Sequence, residues 1–161
     1  MNAAMILPPP LTLRKAAAPD AAAVRRLVRA AYAKWVPVLG REPLPMQADY
    51  DRAVREHVIH LVCDGGKLVA LIEWIVRPDH LFIENIAVSE PYQRRGLGRS
   101  LLLHAETCAM AAGLHHLRLL TSQAMADNIR LYLAFGFQVE RTEPFKGGTT
   151  VYMAKALAPT G

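Results

Sequence analysis

A glycine-punctuated, arginine-rich segment connects a nearly continuous apolar run to a strongly periodic helical pattern. The apolar run is Leu81–Val88, and the segment with the start of the helix is Gln93–Leu102, which reads QRRGLGRSLL. A strand that ends in such a loop presents free backbone N–H groups and the positive end of a helix dipole to one spot, where a phosphate group can be held. Glycine lets the backbone come close to the anion, because it has no Cβ. The junction therefore predicts an α/β fold with an anion site.

The spacing of the glycines excludes the two best-known phosphate-binding fingerprints. A Walker-type loop ends in Gly-Lys-Ser/Thr, but Arg99 follows Gly98 in this chain. A dinucleotide fingerprint has a third glycine three residues after the second, and Leu101 stands there. A plain strand-to-helix turn is the alternative for any Gly-x-Gly. The apolar strand before it, the clean helix behind it and the neighbouring Arg94 and Arg95 favour the anion site.

Length and composition are those of one globular domain. The 161 residues are 52% hydrophobic and 20% charged, which is enough apolar material for a core and too little charge for a disordered chain. The net charge of +5 suits an anionic ligand, although basic residues on the outer face of the first helix account for part of it. No basic run interleaved with aromatic residues occurs, so we expect no nucleic-acid partner.

The cysteines and the N-terminus indicate the cytoplasm. Cys63 and Cys108 lie far apart within apolar segments and lack CxxC spacing, so we expect buried free thiols, as in a reducing compartment. Residues 1–10 have no basic n-region and do not fit a signal peptide. No stretch is long enough to span a membrane, so we expect no membrane partner. We interpret residues 1–10 as a flexible segment before a single domain, residues 11–161.

Hydrophobic periodicity predicts the order β-α-(α)-β-β-β-α-β-α-β-β, a mixed α/β sheet with helices packed on it. Asp20 is expected to cap the first helix, and Gly113 to end the helix that follows the glycine loop. One face of that helix is expected to be apolar and to include Cys108 and Ala112. The predicted strands cover residues 11–15, 58–63, 68–76, 81–88, 114–121, 138–142 and 149–156, with further helices at 49–56 and 124–134.

Two segments resemble the GNAT superfamily of N-acetyltransferases. Leu81–Leu102, with its strand, turn, Gln-x-x-Gly-x-Gly loop and helix, resembles the family's acetyl-coenzyme A binding motif. Met125–Phe137 resembles a later helix of the family, in which an Asn and a Leu-Tyr pair precede a Gly-Phe. The resemblance covers residues 11–156. It implies a three-layer fold with a central, mixed, mostly antiparallel and splayed sheet of six to seven strands, flanked by about four helices.

The resemblance also implies an activity. An N-acetyltransferase of this kind moves an acetyl group from acetyl-CoA directly to a primary amine of a small molecule through a ternary complex. The pantetheine arm would pair with the strand backbone at the splay, and the pyrophosphate would sit on the loop amides. The coenzyme-binding residues implied in this way are Ile86, Ala87, Val88, Gln93, Arg94, Arg95, Gly96, Leu97, Gly98, Arg99, Ser100 and Asn128.

Tyr132 is the proton donor to the departing thiolate that the resemblance implies. A helix places it on one face with Asn128, four residues earlier, so that both can reach the coenzyme. The alternative for Tyr132 is an aromatic side chain that anchors the helix in the core. The alternative for Asn128 is a hydrogen bond to the backbone of the first helical turn.

Glu84 is the candidate base, because an acidic residue at this place on the central strand acts as base in some family members. A carboxylate within an apolar run costs free energy unless it has a partner or lines a cavity. The alternatives are a structural carboxylate bonded to a neighbouring strand, and an amine deprotonated through ordered water. No set of histidines has metal-ligand spacing, and no Pro-Cys-x-x-Cys follows His104-Ala105-Glu106, so we predict no metal.

The resemblance implies that the acceptor amine enters opposite the coenzyme, between the first two helices and the last strands. Tyr32, Asp49 and Tyr50 are the candidate contacts on this wall. Asp49 could instead cap the second helix, and Tyr32 could belong to the core. Trp35 is interpreted as core, and Phe145 is a further candidate for the wall.

Two other functions compete with small-molecule acetylation. A protein or peptide acetyltransferase would need an open groove, whereas the aromatic residues and the proline-rich stretch Val36–Met46 favour a closed rim. A non-catalytic module that senses acyl-CoA would need neither Tyr132 nor the complete glycine loop. The identity of the acceptor and the length of the acyl chain stay open at this point, as does pairing into a homodimer.

Overall fold

One central sheet organises the chain, for which the computed structural model describes residues 7–158. The strands are β1 (Leu11–Lys15), β2 (Val58–Asp64), β3 (Lys67–Val76), β4 (Leu81–Val88), β5 (His116–Ser122), β6 (Gln138–Phe145) and β7 (Gly148–Ala156). They lie side by side in the order β1-β2-β3-β4-β5-β7-β6. Every neighbouring pair is antiparallel except β4 and β5. The predicted mixed, mostly antiparallel sheet is confirmed.

Helices cover both faces of this sheet. They are α1 (Ala21–Tyr32), α2 (Val36–Leu39), α3 (Leu44–Gln47), α4 (Tyr50–Glu56), α5 (Leu97–Ala111) and α6 (Ala126–Phe135). α1 and α4 bury their apolar residues on one face, around Val24, Val28 and Leu61. α5 and α6 do so on the other face, around Leu101 and Leu102. Each such side chain stabilises the fold by about 1.5–3 kcal/mol. The predicted three-layer arrangement is confirmed, and α2 and α3 are single turns within the proline-rich stretch.

The start of α1 differs from the prediction. Asp20 stands at the N-cap position, but its side chain does not bond to the helix. Its carboxylate accepts a hydrogen bond from the Ala17 amide at 2.8 Å and pairs with Arg14 of β1 at 2.7 Å. The cause is a 3-10 turn, Ala18–Asp20, which precedes the helix and directs the carboxylate back toward the strand. The predicted cap is wrong, and Asp20 instead ties α1 to β1.

The buried face of α5 also differs in part. Ala112 is exposed and Cys108 is half-buried, whereas His104 is buried. His104 is accommodated because its Nε2 lies 2.7 Å from Nδ1 of His60 on β2. A pattern that treats histidine as polar does not anticipate such a pair. Gly113 follows the helix with a φ of 76°, in agreement with the predicted helix end.

The predicted N-terminal segment, residues 1–10, lies partly outside the described residues, which begin at Leu7. Leu7 packs against the core, and the Pro8 carbonyl accepts a hydrogen bond from the Leu11 amide at 3.0 Å. The division into a flexible segment and a single domain stays a prediction. Within residues 7–158, no helix has the length and apolar character needed to cross a membrane.

β4 and β5 are the two strands that part from each other. They pair only at Leu81 with Leu117 and at Phe82 with Arg118. β5 continues beside β7 as far as Ser122, so the sheet divides into two halves that are joined at one end. The predicted splay is confirmed, and the gap that it opens lies beside the glycine loop that follows β4.

Candidate active site

The glycine loop brings unpaired backbone amides to the end of β4. Arg94 and Gly96 have positive φ angles of 62° and 82°, and these turn the chain into α5. The first hydrogen bond of that helix runs from the Ser100 amide to the Gly96 carbonyl at 3.0 Å. The amides of the helical residues before Ser100 therefore point out of the helix end. Together with the helix dipole, they form a positive seat for an anion.

The two glycines of the loop are required for different reasons. A Cβ added to Gly96 would meet no described atom within 4 Å, so space does not require glycine at this position. Glycine is favoured there because the backbone adopts a left-handed φ. A Cβ added to Gly98 would lie 3.2 Å from Cδ2 of Leu131 on α6. Gly98 therefore also allows α5 and α6 to pack closely, which a sequence argument about the anion alone does not show.

Side chains around the loop hold it in place. The Gln93 side-chain amide donates to the Val88 carbonyl at 2.9 Å. The Tyr92 hydroxyl donates to Asp64 at the end of β2, and the Arg95 guanidinium stacks 5.3 Å above the Tyr92 ring. The loop is thus fastened both to β4 and to the β2–β3 turn.

The other predicted coenzyme residues of the loop differ in what they can offer. Leu97 is buried in the core, so only its backbone faces the anion seat. Arg94 and Arg99 are exposed, and the Arg99 guanidinium lies 5.6 Å above the Phe135 ring on α6. Ser100 is half-buried in the first helical turn. Positive side chains therefore surround a seat that is itself made of backbone.

The backbone of β4 presents alternate residues to the gap. The Ser89 amide donates to the Val69 carbonyl on β3 at 2.8 Å, so Ala87, two residues earlier, also bonds toward β3. Ile86 and Val88 therefore direct their backbone groups into the gap. Of the three residues predicted to pair with the pantetheine arm, the structure brings Ile86 and Val88 to the gap and turns Ala87 away.

Tyr132 and Asn128 share the face of α6 that borders the gap, as their spacing predicts, and both line the main cavity. The Tyr132 ring is buried and packs edge-on against Phe137 at 5.8 Å. Its hydroxyl bonds to no described residue. Burial raises the pKa of Tyr132 to about 12, so the phenol keeps its proton at neutral pH. The side chain thus anchors the helix and also leaves a proton donor facing the cavity.

The main cavity has a volume of about 650 Å³ and joins the gap to the space beneath α1, α3 and α4. A volume of this size is typical of sites for small ligands. Carboxylates and arginines are mixed along its walls. The ionisable side chains of opposite sign that line it are Arg41, Asp49, Arg52, Glu56, Glu73, Arg77 and Glu84, together with His57.

Glu84 occupies a β-bulge between β3 and β4. The pairing passes over it, since Glu73 faces Asn85 and Trp74 faces Ile83. The extra residue turns out of the ladder, and its side chain is exposed to the cavity. Its carboxylate bonds to no described side chain, so the structure does not show the structural carboxylate considered above. The bulge explains how an apolar strand tolerates this charge.

Tyr32 and Tyr50 form a wall of the cavity through a chain of hydrogen bonds, of which the one between Asn85 and Tyr50 is buried. The Tyr32 hydroxyl donates to Oδ1 of Asn85 at 2.8 Å, and Nδ2 of Asn85 donates to the Tyr50 hydroxyl at 3.3 Å. The Tyr50 hydroxyl in turn donates to the Pro45 carbonyl at 2.6 Å. Burial raises the pKa of both phenols, which therefore stay neutral. Since protein groups occupy these hydroxyls, the two tyrosines shape the wall.

The other residues expected on this wall fall into two groups. Asp49 caps α4 by accepting a hydrogen bond from the Arg52 amide at 3.1 Å, and it also lines the cavity. Trp35 is buried in the core, as expected. Phe145, at the tip of the β6–β7 hairpin, lines the cavity with the Arg41 guanidinium 5.2 Å from its ring. Because Arg41 lies between α2 and α3, this contact bridges two walls of the cavity.

The structure shows a buried ionisable pair that the sequence reasoning missed. Glu73 on β3 is 3% exposed, and its carboxylate lies 2.6 Å from Nδ1 of His57. Burial raises the pKa of Glu73, the hydrogen bond with His57 opposes this, and the charge of Glu84 adds to it. Glu73 interrupts the apolar run 68–76, just as Glu84 interrupts the run 81–88. A search for carboxylates within apolar runs, the criterion that selected Glu84, would therefore also have selected Glu73.

Comparison with known families identifies the family to which this chain belongs. Residues 22–137 match the family described as Acetyltransferase (GNAT) family. The matched stretch contains β4, the glycine loop, α5 and α6, and it is more than half of the chain. The chain belongs to this family. It is therefore an acetyltransferase, and the fold uses acetyl-CoA.

Solved GNAT structures share the fold over nearly all of their length. The PaiA N-acetyltransferase of Thermoplasma acidophilum, in complex with coenzyme A, is 17% identical with a TM-score of 0.77, over 91% of this chain and 98% of that one. The ribosomal-protein-S18-alanine N-acetyltransferase of Escherichia coli is 24% identical with a TM-score of 0.75, over 94% and 96%. A spermidine N-acetyltransferase chimera from Vibrio cholerae and hSSAT is 20% identical with a TM-score of 0.70, over 91% and 95%. A search of curated proteins finds no match.

Proposed function

We propose that this GNAT protein transfers an acetyl group from acetyl-CoA directly to a primary amine of a small molecule, with both substrates bound at once. The contact between Arg41 and Phe145 carries the choice of acceptor, because it bridges two walls of a cavity of about 650 Å³. A bridged cavity of this size suits a small amine, whereas a protein substrate needs an open groove.

Acetyl-CoA, the donor, would bind at the glycine loop and in the gap between β4 and β5. The amides at the start of α5 would hold the pyrophosphate, with Arg94, Arg95 and Arg99 supplying positive charge around it. The backbone of Ile86 and Val88 would pair with the pantetheine arm, because these residues face the gap. This places the thioester where the gap meets the cavity, beside Tyr132 and Asn128.

The acetyl transfer needs a neutral amine, a stabilised oxyanion and a proton for the thiolate. Glu84 would take a proton from the ammonium form of the acceptor, whose nitrogen then attacks the thioester carbon. The carbon–sulfur bond breaks as the amide forms, and Tyr132 would give its proton to the departing thiolate. The attacking nitrogen, which becomes cationic when it bonds to the carbon, would lose its second proton to the Tyr132 phenolate, and this restores the phenol. The raised pKa of Tyr132, about 12, supports this assignment, because it keeps the phenol protonated until the thiolate forms.

Release of free coenzyme A thiol from acetyl-CoA tests the proposal directly. The pools would contain polyamines, amino acids, aminoglycosides, aromatic amines and short peptides, each compared with a sample without acceptor. We expect release above background in one pool of small amines and none with the peptides.

Release with peptides alone would contradict the choice of a small acceptor. The absence of release from every pool, together with tight acetyl-CoA binding by calorimetry, would favour a sensor of acyl-CoA. We further propose that the protein acts in the cytoplasm, in keeping with Cys63 and Cys108, which are both free thiols.

A further inference from the structure

His57 stands where α4 ends and β2 begins, inside the acceptor cavity. Its amide donates to the Ala53 carbonyl at 2.9 Å, which fixes its backbone, and its Nδ1 lies 2.6 Å from Oε2 of Glu73. The Glu73 side chain is 4% exposed and the His57 side chain 26% exposed. The pair therefore connects the closed floor of the cavity to solvent.

The contact with Glu73 determines which nitrogen of the ring is available. An ionised carboxylate accepts hydrogen bonds and cannot donate them. With Glu73 ionised, Nδ1 of the neutral ring therefore carries the proton, and Nε2 holds a free electron pair. A carboxylate behind an imidazole fixes the orientation of the ring and stabilises its cationic form. Among side chains, imidazole is the type that takes up and releases a proton most readily near neutral pH.

Glu73 also stands next to the bulge that carries Glu84. In the pairing of β3 with β4, Glu73 faces Asn85, the residue directly after Glu84. The charge of Glu84 reaches far enough to raise the pKa of Glu73. Glu84 and His57 line the same cavity, so water within it can connect their polar atoms.

We propose that His57, positioned by Glu73, receives the proton that the acceptor amine loses and releases it to solvent. This inference rests on the proposed function and completes the part assigned to Glu84. An N–H bond of the ammonium breaks, and its electron pair stays on nitrogen as the nucleophile. The proton passes to the Glu84 carboxylate, then through cavity water to Nε2 of His57, and finally leaves from the exposed edge of the ring.

Charged side chains from three elements line the cavity around His57. Glu73 is in direct contact with the ring, so its charge acts on the ring more strongly than those of more distant groups. On α4, Arg52 and Glu56 form an ion pair at 2.7 Å and largely offset each other. The titratable groups that line the same cavity are Asp49, Arg52 and Glu56 from α4, Glu73 and Arg77 from β3, and Glu84 from β4.

His57→Asn tests the inference with little change of structure. The Asn side-chain amide can replace Nδ1 as the donor to Glu73, while the acceptor at Nε2 is lost. We expect kcat for the best amine of the panel to fall about tenfold or more, with KM for that amine within about twofold of wild type. A raised KM with unchanged kcat would show that His57 only contacts the substrate and would overturn the inference.

A double variant separates a shared proton path from two independent effects. If Glu84 and His57 act in sequence, Glu84→Gln/His57→Asn should be no slower than the slower single variant. Losses that multiply would overturn the path. In Glu73→Gln kcat should also fall, with KM for the amine within about twofold of wild type, because the ring loses the carboxylate that positions it. His115→Asn, an exposed histidine before β5, is the matched control and should match wild type.

Nuclear magnetic resonance of the ring nitrogens tests the inference even if no amine is acetylated. The expected signals of the neutral ring are a proton on Nδ1 and an unprotonated Nε2. A proton on Nε2 would overturn the inference. If the ring has this tautomer but no amine of the panel is acetylated, the proposed acceptor is wrong. The protonation of His57 on Nδ1 still agrees with the inference in that case.

Discussion

The coenzyme side and the acceptor side of the cavity are built in opposite ways. The coenzyme side is mainly one continuous stretch, Leu81–Ala111, in which β4, the glycine loop and α5 follow one another. The acceptor side gathers α1, the α2–α3 segment, α4, the start of β2, β3 and the β6–β7 hairpin. Its central hydrogen bond, between Tyr32 and Asn85, joins residues 53 positions apart.

This difference predicts which residues can be substituted without loss of coenzyme binding. The anion seat consists of backbone in a fixed local geometry, so a single substitution there can remove it. The acceptor wall consists of side chains from several elements, each of which can be exchanged while the donor site stays intact. We therefore expect damage on the coenzyme side to abolish binding, and damage on the acceptor side to alter selectivity.

Gly96→Glu should have the largest effect. The new carboxylate would stand at the anion seat, and a non-glycine residue would have to adopt a φ of 82°. The loss of two or more charge-assisted hydrogen bonds to phosphate corresponds to an affinity for coenzyme A about 100-fold lower or worse. Isothermal titration calorimetry measures the change.

Gly113→Glu is the matched control for that variant. Gly113 also has a left-handed φ, 76°, and open space around an added Cβ, but it lies beyond the other end of α5. Its affinity for coenzyme A should equal that of wild type. Unchanged affinity in Gly96→Glu would mean that the anion seat has been assigned to the wrong place.

Tyr132→Phe should separate chemistry from binding on the coenzyme side. The ring contact with Phe137 at 5.8 Å is kept while the proton donor is lost, so kcat should fall about 100-fold with unchanged affinity for acetyl-CoA. Wild-type activity should not decline at alkaline pH through this phenol until the pH approaches its pKa of about 12.

Tyr152→Phe is the control for a hydroxyl lost elsewhere. The Tyr152 hydroxyl donates to Glu143 on the β6–β7 hairpin at 3.0 Å, outside the gap. Its rate should match wild type. A wild-type rate in Tyr132→Phe would support the interpretation of Tyr132 as a core aromatic alone, because the variant keeps the ring.

Phe145→Ala should change the binding of the acceptor and leave the binding of acetyl-CoA unchanged. Without the ring under Arg41, the contact between the two walls is lost, and KM for a small amine should rise about five- to tenfold while KM for acetyl-CoA stays the same. Short peptides should become measurable acceptors. Val139→Ala, at a 50% exposed position on the same strand, should change neither constant. Equal shifts for both substrates would contradict the division of the cavity into two independent sides.

The smallest effect expected concerns stability in acid. Burial, with smaller contributions from His104 and Lys15, lowers the pKa of His60 to about 4 from 6.5 in the unfolded chain. Between these values the unfolded chain binds a proton that the folded chain does not, so stability falls as pH falls through that window. Partial exposure of the ring limits the loss to about 1–2 kcal/mol.

Urea unfolding at pH 7 and pH 4.5 would measure this loss, with His60→Gln as the comparison. The Gln side chain can still bond to His104 but does not titrate. The difference between the two pH values should be smaller in the variant. An identical difference would assign the acid sensitivity to other groups.

Much of the fold could be predicted from the sequence, because its signals are local. β4, the glycine loop and α5 follow from an apolar run, two glycines and a helical period within about thirty residues. Asp20 shows where local rules fail, since the carboxylate bonds to Arg14 of β1 rather than to its own helix. His104 shows a second limit, because only the approach of His60 makes its burial acceptable.

The acceptor site could be predicted only in part. The resemblance implies Tyr32 and Tyr50 as wall residues, but no local signal predicts that Asn85 joins their hydroxyls. His57 and Glu73 meet because the pairing of β2 with β3 brings them together across 16 positions. Long-range partners of this kind depend on register, which a single sequence specifies too weakly to read directly.

The splay between β4 and β5 has a consequence for the lifetime of the protein. Past Phe82, β4 has no paired strand on the side of the gap, so an edge lies in the middle of the sheet. The Ile86 and Val88 carbonyls on this edge accept hydrogen bonds from the side chains of Tyr32 and Gln93. Such edges recruit extended chains and lead to aggregation when nothing covers them. A pantetheine arm in the gap would shield this edge. Bound acetyl-CoA would then protect the enzyme against aggregation, in addition to donating the acetyl group. A lower concentration of acetyl-CoA would therefore both slow turnover and shorten the lifetime of the folded enzyme.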